Sequence, residues 1–70
     1  MGVVRLVVSD EVKKQVDETW VKDLLFSLEE ELLKMEMGEE MFVEIEMENC
    51  GFWVHRTQEG WMVKKYLPLI

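Results

Sequence analysis

The chain is poor in the residues on which many functions depend. It has one cysteine, Cys50, in 70 residues, so no internal disulfide can form, and with a single histidine, His55, nearby it falls short of a four-ligand structural zinc site. Proline occurs once and glycine four times, which excludes collagen-like and low-complexity architectures. Cations are scarce: eight Lys and Arg face fifteen Asp and Glu, a net charge of −7. Such a body repels phosphates, so no direct nucleic-acid binding is expected and a basic protein is the favoured partner. No apolar run approaches the ~20 residues that cross a bilayer. The opening Met-Gly-Val-Val-Arg-Leu lacks the apolar stretch of a secretory leader. No membrane partner is therefore expected, and a cytoplasmic location is.

What is present is a packed chain. Hydrophobic residues make up 49% and charged residues 33%, a globular composition, and the length suits a single small α+β domain over 1–70. Charge is unevenly placed. Residues 10–48 hold four Lys against fourteen acids, whereas residues 49–70 hold Arg56, Lys64 and Lys65 against Glu59.

Val3 to Val8 is a valine-rich apolar run of strand length broken only by Arg5, and it reads as a first strand. Ser9-Asp10 offers a helix N-cap. From there to Met37 no Gly or Pro intervenes, and Gly38 stands where a helix ends. Trp20, Val21, Leu24, Leu25, Leu28, Leu32 and Met35 form one apolar stripe at 100° per residue. Val12, Phe26, Leu33 and Met37 cluster on the opposite side. One continuous helix over Asp10–Met37 is favoured, although Asp17 or Thr19 offers a cap for a break near Asp17-Glu18-Thr19.

The remainder predicts three strands. Met41 to Glu48 alternates, and Asn49-Cys50-Gly51 and Gln58-Glu59-Gly60 each place Gly third in a three-residue loop. With those loops Val43, Ile45, Met47, Trp53, His55, Trp61, Val63 and Leu67 face the helix. Phe42, Glu44, Glu46, Glu48, Phe52, Val54, Arg56, Met62, Lys64 and Tyr66 fall on the open side, with Glu44 beside Arg56 and Glu46 beside Lys64. The expected fold is β-α-β-β-β: a four-stranded, mostly antiparallel sheet with one long helix on one face. The first strand sits at an edge, parallel to the strand it joins. Its composition suits an interior strand, which hints at a homodimer.

Catalysis is not expected. The carboxylates form a solvated surface rather than a pocket that separates two pKa values. Cys50 and His55 lie near opposite ends of one strand, so they make no nucleophile-base pair; His55 reads as a half-buried side chain near the helix. No metal site and no cofactor are implied, because Glu44, Glu46 and Glu48 lack any accompanying calcium loop.

The chain reads instead as a protein-binding module. Candidate contact residues are Phe52, Val54, Arg56, Met62, Lys64 and Tyr66 on the sheet and Phe26, Leu33 and Met37 on the helix. The acidic surface comprises Glu29, Glu30, Glu36, Glu39, Glu40, Glu44, Glu46 and Glu48. The leading expectation is a phage or mobile-element inhibitor of a basic, nucleic-acid-handling protein. The alternative is a homo-oligomeric structural subunit or assembly factor that binds a neutral partner through an apolar sheet face.

Overall fold

The structure, a computed structural model, describes residues 4–69. The first strand, β1, covers Leu6–Val8; Val3, where the sequence starts it, lies outside the described residues. Three short helices follow, α1 (Asp10–Lys13), α2 (Glu18–Phe26) and α3 (Glu29–Leu33). They lead to strands β2 (Glu40–Ile45), β3 (Cys50–Arg56) and β4 (Trp61–Pro68). The sheet order is β1-β4-β3-β2. β1 runs parallel to β4, and the other two pairings are antiparallel. The α+β class and the edge position of β1 agree with the sequence. The sheet, however, is mixed rather than mostly antiparallel, and the single long helix is replaced by three pieces.

The first break in the helix has a geometric cause. Nine residues at 100° put Val12 and Val21 on opposite sides of any continuous helix, yet both have no exposed surface. The chain satisfies both by stopping after α1 and restarting at Asp17, whose Oδ2 accepts from the Trp20 N–H at 3.0 Å. Val12 therefore leaves the outward cluster and joins the core. At the second break the Ser27 hydroxyl donates back to the Leu24 carbonyl at 2.5 Å, and Leu28 takes φ −111° and ψ 27°; such back-bonding competes with the helical ladder. The predicted stripe survives: Val21, Leu25, Leu32 and Met35 are buried, and Trp20, Leu24 and Leu28 pack against the core at half burial.

The turns of the sheet differ from expectation and so does its register. β2 and β3 are joined by Glu46–Asn49, a 3-10 turn closed by Asn49 at φ 52°. The left-handed residue is thus Asn49, and Gly51 belongs to β3. Val43 consequently pairs with Phe52 and Ile45 with Cys50. This is an odd shift from the expected pairing, and it reverses every side chain of β3. The second loop is Thr57–Gly60, closed by the Thr57 N–H donating to the Gly60 carbonyl at 2.7 Å. Gly60 is needed for close approach, since a Cβ there would lie 2.4 Å from the Arg5 carbonyl oxygen.

A bulge in β4 completes the arrangement. Trp53 pairs with Lys65 but Val54 pairs with Val63, so Lys64 is left over. Ser9 answers it: its N–H donates to the Val63 carbonyl at 3.0 Å and its hydroxyl to the Lys64 carbonyl at 3.2 Å. The extra residue changes the phase of β4, so that Trp61, Val63 and Tyr66 all turn toward the helices.

The core lies between helices and sheet. Phe52, Val54, Val63, Cys50, Val12, Val21, Leu25 and Leu32 are fully buried. Phe52 is bracketed by Trp20 at 6.1 Å and Tyr66 at 5.6 Å between ring centroids. The Trp61 indole N–H reaches across the layers to the Leu32 carbonyl at 2.9 Å, and the Arg56 guanidinium sits 4.1 Å from the Trp61 ring.

Candidate protein-binding surface

Register and alternation define both faces of the sheet. Three rows point away from the helices: Val7, Met62, His55 and Glu40; Lys65, Trp53 and Phe42; Leu67, Gly51 and Glu44. Helices cover only the other face, so these rows are open. Val7 is 46% exposed, Leu67 40% and Trp53 37%. At the centre the Phe42 and Trp53 rings meet at 5.4 Å between centroids. The tip of the Phe42 ring also reaches Gly51, where a Cβ would meet its Cζ. Glycine at this position leaves the room that the ring occupies.

Beside the aromatic pair sits a polar trio. Glu40 Oε2 is 3.3 Å from Lys64 Nζ and 3.2 Å from His55 Nδ1, although Nδ1 is shielded from solvent and makes no well-aligned hydrogen bond. Glu40, Trp53, Lys64 and Lys65 together frame an open depression.

These positions revise the predicted surface. Phe52 and Val54, expected on the open face, are wholly buried, because the four-residue loop reverses β3. Tyr66 is half-buried against Trp20 and Phe52, because the bulge turns it inward. Arg56 faces Trp61 instead of Glu44, and its Nη1 donates to the carbonyls of Thr57 and, at 2.9 Å, Gly60. Lys64 pairs with Glu40 instead of Glu46. Four residues assigned to the core face do not lie there: Met47 is in the turn at 93% exposure, and Trp53, His55 and Leu67 are on the open face. Met62 and Lys64 remain on the open face as expected. Sequence reasoning missed Trp53 and Gly51 as parts of a surface. A usable signal was present in β3, where the compact apolar set Cys50, Phe52 and Val54 alternates with Gly51, Trp53 and His55.

On the helical layer Phe26, Leu33 and Met37 are 44%, 48% and 57% exposed. They stand on α2, on α3 and in the loop beyond, not on one helix as the sequence suggested. Glu29 is half-buried, and Glu30, Glu36, Glu39, Glu40, Glu44, Glu46 and Glu48 are exposed. Glu39 also closes a turn, with its Oε1 accepting from the Glu36 N–H at 2.8 Å. Among the described residues only Glu18, Glu31 and Glu40 have a cation within 4.0 Å.

Cys50 and His55 are at separate ends of β3 and on opposite faces, the thiol in the core and the imidazole on the open side. Burial pushes the Cys50 thiol above its ordinary value, and the Glu48 carboxylate adds to the shift. Among the described residues no group of three His, Cys, Asp or Glu side chains is placed to hold a metal ion, and no helix is long and apolar enough to cross a membrane. Comparison with known protein families, with curated proteins and with solved structures finds no match.

Proposed function

We propose that this chain is a small, acidic, non-catalytic binding module whose helical layer docks on a basic surface of another protein. The concrete version is an inhibitor encoded by a phage or mobile element that occupies a nucleic-acid-handling protein. The observation that carries the reading is the separation of charge between the layers. Residues 9–39, which build the helical layer, contain ten acids against four lysines, and few of those acids are paired internally. The open sheet face sets Glu40 and Glu44 against Lys64 and Lys65. A field of one sign over one side of a small body steers a basic partner to that side. Phe26, Leu33 and Met37 stand among the acids as apolar anchors of the kind that hold a complex once formed.

The test is affinity capture with the tagged chain at ~50 mM and ~500 mM salt, using wild type, Leu33→Glu and a variant with Glu29, Glu30, Glu31 and Glu36 changed to Gln. A basic protein retained at low salt and released by salt and by both variants supports the reading. A partner retained equally by all samples defeats it.

A second reading, a homo-oligomeric subunit or assembly factor with a neutral partner, is favoured by the uncovered Phe42–Trp53 pair on a nearly charge-balanced sheet face. It concerns a different surface, and both readings can hold for one chain.

A further inference from the structure

We infer that the open sheet face is covered by a second copy of this chain, packed face to face about a twofold axis lying along β3. The inference rests on the second reading above, that this face is a contact surface, and names its occupant.

Three observations converge on that occupant. First, the face is apolar at its centre and uncovered: Phe42 meets Trp53 and reaches Gly51, flanked by Val7, Met62 and Leu67. β1 buries Leu6 and Val8 against the helices but leaves Val7 46% exposed on this side.

Second, the charges of the face are arranged in columns that match under a twofold. Lys64 and Lys65 belong to β4 and Glu40 and Glu44 to β2, with β3 between them. A twofold along β3 lays the lysine column of each copy over the glutamate column of the other, and Trp53 meets its own symmetry mate near the axis. Rotation about an in-plane axis perpendicular to the strands would instead stack lysine on lysine. Two bodies of charge −7 repel if their helical layers meet. Sheet-to-sheet packing keeps those layers on the outside, with two sheets ~10 Å apart between them, beyond the ~8 Å screening length at physiological salt.

Third, the overlap is that of a weak dimer. A twofold over β3 sets β4 on β2 and β3 on its own mate and leaves β1 outside, so three strands at ~4.8 Å spacing and ~23 Å length give a footprint of roughly 330 Å². Side-chain relief raises the accessible area to roughly 400 Å² per copy, the size of a weak, transient contact. The acidic layers then face outward on both sides of the dimer, free for the basic partner proposed above.

Sedimentation velocity from about 2 to 500 μM covers the range of such a weak contact. The wild-type chain is expected to move from one chain mass toward two across the range, with Trp53 emission shifting to the blue as its ring is desolvated. Trp53→Glu places a carboxylate at the axis and is expected to weaken association at least ~30-fold, whereas Leu33→Glu on the helical layer leaves it unchanged. Circular dichroism confirms that each variant is folded, and Leu67→Lys, near the sheet end, serves as a second probe if Trp53→Glu is not.

A dimer that survives Trp53→Glu and Leu67→Lys, or that is lost in Leu33→Glu, overturns the proposal. So does a wild-type chain that stays monomeric to 500 μM. In that monomeric case, a captured protein released by Trp53→Glu leaves the sheet face a contact surface for something else, and unchanged capture removes the surface as well.

Discussion

Replacing Trp61 by Phe and, separately, Trp53 by Phe tests the inward and outward assignment of the sheet with the same chemical change at two positions. Trp61 is 5% exposed, its indole N–H donates to the Leu32 carbonyl at 2.9 Å, and its ring underlies Arg56. Loss of the hydrogen bond costs about 1 kcal/mol rather than the larger penalty of an orphaned carbonyl, because Leu32 still accepts from the Met35 N–H at 3.1 Å. The smaller ring forfeits about 40 Å² of buried apolar contact, or about 1 kcal/mol. Weaker attraction for the guanidinium removes about 0.5 kcal/mol more. The expected destabilisation is thus about 2–3 kcal/mol, which for a domain of this size lowers the melting temperature by about 10–20 °C. Trp53 sits 37% exposed on the open face, and Phe there keeps an aromatic neighbour for Phe42, so its change should stay within about 0.5 kcal/mol. Thermal and urea denaturation followed by far-UV circular dichroism, at concentrations where each protein is monomeric, measure both. Equal losses, or a larger loss at Trp53, would refute the register and the surface built on it.

Gly60→Ala should destabilise by about 1–3 kcal/mol, because the added Cβ meets the Arg5 carbonyl oxygen at 2.4 Å. Hydrogen exchange should show the loss at the Trp61 amide, which donates to that same oxygen at 2.8 Å. Cys50 should alkylate slowly in the native state at pH 8, since its buried thiol is held protonated above the ordinary range. The fold favours the neutral thiol, so this contribution is intact below the unfolded value of about 8.5 and falls as pH rises through it, where the unfolded chain ionises first. Urea titrations between pH 7.5 and 9.5 should therefore show a steeper decline for wild type than for Cys50→Ala; parallel declines would contradict it.

Much of the architecture was legible in the residues because it depends on patterns that tolerate small errors. The apolar stripe from Trp20 to Met35 needs only 3.6-residue periodicity, and it packs on the sheet even though the helix is broken twice. The Ser9 and Asp17 caps are local chemistry, and both act as caps, with Ser9 Oγ accepting from the Val12 N–H at 3.3 Å. The edge position of β1 follows from chain order alone. Sheet faces are different, because they are decided by parity. One residue more in each of the two sheet loops and one unpaired lysine in β4 were enough to exchange Trp53 and Tyr66 with their expected places.

By itself, then, the amino-acid sequence determined the α+β class, the acidic surface, the lack of an internal disulfide and the apolar side of the helical segment. Tertiary structure decided where the helix breaks, since only the demand that Val12 and Val21 both be buried makes a continuous helix untenable. It also decided which aromatic rings face water. Three- and four-residue loops differ little in local free energy, whereas enclosing Phe52, Val54 and Tyr66 with Trp20 beneath the helices gains several kcal/mol of apolar burial. That sum is made across the whole sheet, and no single turn contains it.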